Sequence, residues 1–280
     1  YSVMMIANAN NSCKDTIVKT VKVMPVPTAA ATILPALNCE QTVQFNASSS
    51  QVALPYSITS YSWDFTSNGS TDTTASGANM PHNYGAPGTY TASLTVTTYG
   101  GCTNTITIPV TVLPKPDLSL NMPASICGFE FQPTSSGSSI LPPATITGYS
   151  WDFNGDGVFE IINGTATPAF NFNQSGNFNV ALVAIGSNGC SDTTVQALAV
   201  NSIPGGSVTV SPAINCNQTV TLTANIGNSQ VNSFGWDFDG NGTVDQTTVG
   251  NGTNHNYPGP GTYNTQVVLN GVGACESTLN

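Results

Sequence analysis

The chain has 280 residues with a formal net charge of −10, and only 6% of them are charged. There are four lysines and no arginine, and no basic residue follows Lys115. Nucleic acid and anionic membrane surfaces are therefore excluded as partners, because both require cationic side chains that face phosphates. No run of 18 apolar residues occurs, so a membrane-spanning helix is not expected.

A repeat of about 88 residues organises the chain and overrides the usual expectation of one or two domains. Similar aromatic segments surround Trp63, Trp151 and Trp236, at steps of 88 and 85 residues. The chain begins and ends within a repeat, so we expect it to be a piece of a longer array. The predicted domains are residues 1–27, the C-terminal strands of a truncated repeat; 28–115, repeat 1; 116–203, repeat 2; and 204–280, repeat 3, which lacks its last strand.

Within repeat 1, apolar and polar residues alternate in several short segments separated by turn residues about every ten positions. This pattern, without any helical period, predicts an all-β sandwich. The aromatic segment from Ile58 to Phe65 is the central strand, and its alternate rings point inward. The corresponding rings predicted to lie in the three cores are Trp63, Phe65, Trp151, Phe153, Trp236 and Phe238. Short linkers with proline favour semi-rigid spacing of the repeats.

Each aromatic strand runs into a loop of Asp, Asn and Gly. Oxygen ligands at every second position around a glycine are typical of a calcium loop. No glutamate closes the loop at the twelfth position, so weak calcium binding is expected. The alternative is an Asx-rich turn without metal, which we favour for the first loop, where only Asp64, Asn68 and Asp72 are offered. The candidate ligands are Asp152, Asn154, Asp156, Val158 through its carbonyl, and Glu160 in repeat 2, and Asp237, Asp239, Asn241, Thr243 through its carbonyl, and Asp245 in repeat 3.

Two histidines raise the question of catalysis. His82 and His255 stand at equivalent positions, and repeat 2 has Phe170 there. A position where phenylalanine serves equally is predicted to be a packing position. No Ser-His-Asp or Cys-His set can be assembled in every repeat, so we predict that the chain is not an enzyme.

The motifs resemble those of the PKD (polycystic kidney disease) domain. They comprise Trp-Asp-Phe before a Gly/Asp turn, then Asn-Tyr with Pro-Gly-Thr-Tyr, then an alternating strand, at residues 61–69 with 82–96 and 234–242 with 255–269. Repeat 2 keeps Trp-Asp-Phe but departs from the proline turn. The resemblance implies tandem Ig-like, seven-stranded sandwiches. The placement of the cysteines is similar to that in cell-surface and gliding-associated proteins of the Bacteroidetes.

Seven cysteines favour an oxidising, extracellular setting. In the Ig-like topology that the resemblance implies, Cys39 and Cys102 would lie at opposite ends of one repeat, too far apart to bond. We therefore expect disulfides between consecutive repeats, Cys39–Cys190 and Cys127–Cys275, which would turn the array into a rod. Cys13, Cys102 and Cys216 would have partners outside this chain. The alternative is pairing within repeats, as Cys39–Cys102, Cys127–Cys190 and Cys216–Cys275.

These observations favour a non-catalytic array at the cell surface that serves as a stalk, adhesin or extracellular filament. Its expected partners are neighbouring repeats of the same or identical chains, and surface glycans or proteins. The alternative is a carbohydrate-binding accessory region of a secreted hydrolase, which would need a flat platform of exposed aromatic rings. For the sheet edge left open in repeat 3, we expect the parent chain to continue, with strand addition by a neighbouring molecule as the alternative.

Overall fold

The structure is a computed structural model that describes residues 1–34, 38–212, 216, 218–227 and 230–280. It forms two compact units, Tyr1–Lys115 and Pro116–Asn280. Strands make up almost all of its regular structure, and the helical element in the described residues is one 3-10 turn, Val272–Ala274. The prediction of an all-β fold is therefore confirmed.

The first unit opens with an antiparallel hairpin, β1 (Ser2–Asn8) and β2 (Lys14–Thr20), whose residues are all exposed. Repeat 1 follows with a three-stranded sheet in the order β3-β4-β7 and a four-stranded sheet in the order β6-β5-β8-β9. The strands are β3 (Thr32–Leu34), β4 (Thr42–Asn46), β5 (Ile58–Asp64), β6 (Thr73–Ala75), β7 (Asn79–Asn83), β8 (Gly88–Thr98) and β9 (Thr103–Val112).

Repeat 2 places more of its strands in one sheet, in the order β10-β16-β15-β12-β13, with β11 and β14 paired separately. Its first strand runs parallel to its last, with Cys127 opposite Asn201. The strands are β10 (Ser125–Cys127), β11 (Glu130–Phe131), β12 (Ile146–Asp152), β13 (Ile161–Gly164), β14 (Phe170–Asn171), β15 (Gly176–Gly186) and β16 (Ser191–Asn201).

Repeat 3 returns to sheets of three and four strands, in the orders β17-β18-β21 and β20-β19-β22-β23. Four residues after its last hairpin turn, Glu276–Leu279, pair with β22. The strands are β17 (Gly206–Ser211), β18 (Thr219–Ile226), β19 (Val231–Asp237), β20 (Gln246–Thr248), β21 (Gly252–Asn256), β22 (Gln266–Gly271) and β23 (Glu276–Leu279).

Each repeat has its own hydrophobic core, centred on the ring of its tryptophan. Trp63, Trp151 and Trp236 are fully buried, and the phenylalanine two residues later is at most 5% exposed in each repeat. On β8, buried residues alternate with half-exposed ones, as a strand with one face on a core requires. The aromatic strand therefore fixes where the following acidic loop leaves each sandwich.

Candidate functional site: acidic loops and a disulfide joint

An aspartate at the end of each aromatic strand organises the loop that follows it. Asp152 is 3% exposed, and its two carboxylate oxygens accept the N–H groups of Gly155 at 2.7 Å and Gly157 at 2.9 Å. Glu160 reaches back and accepts the N–H of Phe153 at 2.8 Å. Both glycines have positive φ, a conformation that costs a residue with a side chain more. The carboxylates therefore hold the turn through backbone hydrogen bonds.

The loop of repeat 3 has the same construction. Asp237 is 2% exposed and accepts the N–H groups of Gly240 and Gly242 at 2.7 and 2.8 Å. Asp245 accepts the N–H of Phe238 at 2.8 Å, as Glu160 does for its own phenylalanine. The aspartate therefore has the same contacts although the surrounding loop residues differ.

In repeat 1, Asp64 accepts N–H groups from Thr66, Asn68 and Gly69 at 2.8 to 3.2 Å. Burial by itself would raise the pKa of this carboxyl, but the hydrogen bonds, led by that of Gly69, outweigh burial and lower the pKa below its usual value. The same balance, led by Gly242 and Gly240, lowers the pKa of Asp237. These aspartates therefore stay ionised in the folded protein at neutral pH.

Two of the three loops bring three carboxylates together. Within the described residues, the groups Asp152, Asp156 and Glu160, and Asp237, Asp239 and Asp245, each offer oxygens within 4.8 Å of one another. A carboxylate oxygen that accepts one backbone hydrogen bond keeps further acceptor capacity. Hard oxygen donors of this kind are the ligands that calcium prefers. Both clusters could therefore hold a metal ion, whereas the loop of repeat 1 contains only two acids.

The remaining candidate ligands lie in the same two loops. Asn154 accepts the N–H of Asp156 at 2.9 Å, and Asp156 accepts that of Val158 at 2.7 Å. In repeat 3, Asp239 accepts the N–H of Asn241 at 3.1 Å, and Asn241 accepts that of Thr243 at 2.7 Å. The sequence spacing thus places these residues in successive turns of one loop, and their roles as metal ligands stay a prediction.

The histidines belong to a chain of stacked rings. His82 stacks on Phe65 with the ring centroids 4.0 Å apart, and it meets the edge of Tyr84 at 4.6 Å. Phe170 stacks on Phe153 at 4.1 Å in the same place in repeat 2. Burial lowers the pKa of His82, and the nearby Asp72 offsets this only in part. Stacking of this kind is the packing role that the exchange of histidine for phenylalanine predicted.

The sequence pattern predicted packing at the two histidines but not the extent of this ring chain, although a signal was present. In all three repeats the inward phenylalanine and the stacked ring are 17 residues apart, as in Phe238 and His255, whose centroids lie 3.8 Å apart. Tyr257 then continues the chain to Tyr263 at 4.0 Å and donates its hydroxyl to the carbonyl of Phe238 at 3.1 Å. The ring chain thus ties the base of the acidic loop to the opposite sheet.

A disulfide joins repeat 2 to repeat 3 within the second unit. Cys127 and Cys275 are bonded with their Cα atoms 5.4 Å apart. The 3-10 turn before Cys275 faces the end of β16, where a Cβ on Gly273 would collide with the side chain of Asn201. Ser277 also donates its hydroxyl to the carbonyl of Pro204 in the linker. Covalent and polar contacts therefore meet at this joint.

The other cysteines separate the two pairing schemes. Cys13, Cys102 and Cys216 are free, so the bonds Cys39–Cys102 and Cys216–Cys275 do not form, and Cys127 is unavailable to Cys190. The pair Cys39–Cys190 would join the two units and stays a prediction, as do partners of the free cysteines outside the chain.

No helix in the described part of the chain is both long and apolar enough to cross a membrane. A search of curated protein sequences finds no match. Among solved structures, the PKD1 domain of Vibrio anguillarum Epp is 29% identical, with 31% of this chain and 93% of that chain covered at a TM-score of 0.26. The PKD1 domain of the Vibrio cholerae metalloprotease PrtV is 26% identical, with 32% and 98% covered at a TM-score of 0.25.

The fibronectin(III)-like modules of Clostridium thermocellum CbhA are 14% identical, with 62% of this chain and 95% of that chain covered at a TM-score of 0.34. Two family models, each described as the PKD domain, match residues 24–112 and 207–280. The two matches together cover more than half of the chain, and repeat 2 between them has the same aromatic strand and loop. The chain therefore belongs to the PKD-domain family, as a tandem array of PKD-type β-sandwiches.

Proposed function

We propose that this chain is a structural segment of an extracellular or cell-surface protein, a stalk or filament that spaces an adhesive part from its anchor. PKD domains are non-catalytic modules, and together with a disulfide they are typical of extracellular proteins. The proposed partners are neighbouring repeats, with surface glycans or proteins as adhesion targets. Such a protein needs repeats that hold their spacing and orientation.

The bond between Cys127 and Cys275 is the observation that carries this proposal. It links two repeats that each have their own tryptophan-centred core, so its direct effect is on the joint. A flexible tether would serve equally well without such a bond. If the Cys39–Cys190 pair forms as well, the joint between repeats 1 and 2 and the joint between repeats 2 and 3 are both bridged by a disulfide.

Two measurements on the full chain test the proposal. In Cys127→Ser/Cys275→Ser, we expect repeats 2 and 3, followed by the signals of Trp151 and Trp236, to unfold at denaturant concentrations that lie further apart than in the parent chain. Cys13→Ser is the matched control, because that cysteine is free. An antibody to the chain should also label intact cells that express the parent protein, and treatment of those cells with protease should remove the label. Labelling only after cell lysis would refute the proposal.

We further propose that the loops of repeats 2 and 3 bind calcium weakly. The support is the pair of three-carboxylate clusters and the absence of a comparable third acid in the loop of repeat 1. Calorimetric titration of calcium should show two weak sites, of which Asp156→Asn and Asp239→Asn each remove one. Asp72→Asn in repeat 1 is the matched control and should leave both sites. If titration of calcium into the parent chain and the variants releases or absorbs no heat, calcium binding is refuted, but the structural role is not.

No specific observation favours the carbohydrate-binding alternative. Among the described residues, Tyr99 is 84% exposed but has no counterpart ring in the other repeats, and the ring of Tyr56 lies 5.7 Å below the ammonium of Lys22. Binding to sugar chains through a flat surface requires several coplanar exposed rings. Sedimentation with insoluble chitin or cellulose provides the direct check.

A further inference from the structure

Repeat 2 carries an apolar patch on the outward side of its large sheet. Along β15 and β16, residues that enter the core alternate with residues that point away from it. Val195 lies near the middle of this outward side and is 59% exposed, although polar residues are usual on the solvated face of an antiparallel sheet. The outward apolar residues, which form the apolar face, are Ala181, Val183, Ile185, Val195, Ala197 and Ala199.

Repeat 1 builds the same pair of strands without an apolar outward side. Thr107 on β9 lies opposite Ser93 on β8, just as Val195 lies opposite Ala181 in repeat 2. The residues of repeat 1 that correspond to the apolar face are Ser93, Thr95, Thr97, Thr107, Pro109 and Thr111. The two strands therefore pair equally well with hydroxyl side chains here, and the fold does not require apolar ones. An apolar outward side in repeat 2 indicates contact with a partner rather than with water.

Charge is distributed unevenly around the apolar face. None of the outward residues on β15 and β16 is charged, and Asp192, the one acid on these strands, lies opposite the buried Ala184 in the inward set. The acidic loop of repeat 2 lies at one end of the face, because a Cβ on Gly155 would stand 2.9 Å from the carbonyl oxygen of Asn179. The hairpin turn at the other end, residues 187–190, is uncharged. The face therefore has one acidic end and one neutral end.

The size of the face limits how strongly it can bind. β15 and β16 pair over ten positions, a length of about 34 Å, and together with β12 they are about 14 Å wide. Two such faces in contact would bury roughly 1,000 Å² in total, which lies at the lower end for a specific protein interface. A contact of this area is expected to be weak and reversible.

We propose that repeat 2 pairs with repeat 2 of a second copy of this chain, apolar face against apolar face. An uncharged apolar sheet is complementary to itself under a two-fold axis, and packed sheets keep their strands within about 30° of each other. The corresponding strands offer hydroxyl residues in repeat 1, and Gln266 and Asn270 in repeat 3. Among the described repeats, the surface that matches the apolar face is therefore the same face of another copy. The inference rests on the proposed array function and names a lateral partner for it.

The acidic end of the face decides the direction of the two sheets. Parallel sheets would bring the two acidic loops together, each with the carboxylates of Asp152, Asp156 and Glu160, and like charges repel. Antiparallel sheets place each acidic loop beside the uncharged hairpin turn of the other copy. The two copies therefore run in opposite directions across repeat 2.

Sedimentation velocity of the full chain tests the contact, in a Cys13→Ser/Cys102→Ser/Cys216→Ser background that removes the free thiols. We expect a monomer–dimer equilibrium, and Val195→Asp should raise its dissociation constant at least about tenfold, because two carboxylates would meet in an uncharged contact. Thr107→Asp is the matched control at the equivalent position of repeat 1 and should leave the dimer unchanged. Val195→Thr keeps the shape of valine and should also weaken the dimer, which separates loss of the contact from loss of folding.

Ser191→Lys tests the direction of the two copies. Ser191 lies opposite Ile185 at the neutral end of the face, so the added ammonium group would stand near the acidic loop of the second copy. The dimer should tighten at low salt and lose this gain at high salt, because salt screens exposed charges. Thr103→Lys, at the equivalent position of repeat 1, is the control. A weaker dimer in Ser191→Lys would overturn the antiparallel arrangement.

Two results would overturn the pairing itself. One is a chain that stays monomeric at every concentration, and the other is a dimer that survives Val195→Asp or is lost equally in Thr107→Asp. In either case the bond between Cys127 and Cys275 and the surface labelling still test the array function separately, because neither depends on the apolar face.

Discussion

Trp63 provides the sharpest test of how the repeats are stabilised. Its indole N–H is buried and has no hydrogen-bond partner among the described residues. In repeat 3 the equivalent N–H of Trp236 donates to the hydroxyl of Thr248 at 2.9 Å. Ala75 occupies the place of Thr248 in repeat 1, because it pairs with Tyr61 as Thr248 pairs with Phe234. The substitution Ala75→Thr should therefore supply the missing acceptor.

An unsatisfied buried donor costs about 1–3 kcal/mol of stability. The expected gain in the free energy of unfolding is this cost minus the entropic cost of fixing one hydroxyl. We expect the free energy of unfolding of repeat 1 to rise by about 1 kcal/mol, and its Tm by roughly 4–8 °C for a domain of this size. Thr248 also donates to the carbonyl of Gly250 at 2.6 Å, and Gly77 stands in the corresponding position for the new threonine.

Each repeat contains one tryptophan, so the three indole N–H signals in a nitrogen–proton NMR spectrum report the unfolding of each repeat separately. Ala75→Thr should shift the denaturation midpoint of the Trp63 signal and leave those of Trp151 and Trp236 unchanged. Ala75→Val is the matched control, since it has the same shape without the hydroxyl. Equal stabilisation by threonine and valine would refute the hydrogen-bond argument and assign the effect to strand propensity.

Three further predictions concern pH. Burial lowers the folded-state pKa of His82 below 6.5, so repeat 1 should lose stability as pH falls below 6.5. His82→Phe should remove this pH dependence from the unfolding of repeat 1, followed by the Trp63 signal. A dependence that persists in His82→Phe would contradict the packing role of the histidine in the ring chain. Burial, with Tyr90 and Asp72 nearby, raises the pKa of Tyr84 to about 12, so repeat 1 should also weaken between about pH 10 and 12, and Tyr84→Phe should not. Backbone hydrogen bonds from Gly242 and Gly240 lower the folded-state pKa of Asp237, so the stability that this carboxylate contributes should be lost progressively as pH falls below 3.8. Asp237→Asn should cost repeat 3 about 2 kcal/mol at pH 7 in urea denaturation, and this cost should shrink as pH falls below 3.8. A cost that does not change with pH would contradict the charged-acceptor role.

The parts of this fold that depend on neighbouring residues were predictable from sequence. Alternation placed Trp63 and Phe65 on one face, and the Asp, Asn and Gly residues that follow indicated that Asp152 leads into a turn. The spacing of the cysteines, read on an Ig-like topology, led to the pairing of Cys127 with Cys275 that the structure contains. Each of these predictions needs only a periodic pattern or a fixed strand length.

Features set by residues distant in sequence were not predictable. The orphan N–H of Trp63 depends on which side chain stands across the strand at position 75. The joint between repeats 2 and 3 depends on Gly273 leaving room for Asn201. Such contacts arise only when strands are assigned partners, and alternation does not identify those partners.

The bond between Cys127 and Cys275 has a consequence for the chain under tension. A pulling force applied at the two termini passes directly through the sulfur–sulfur bond and bypasses everything between the two cysteines, which are separated by 148 positions. At about 3.4 Å per extended residue, the bond withholds roughly 500 Å of contour length from extension. Most of repeats 2 and 3 thus carries no load along its backbone, and reduction of one bond would release this hidden length.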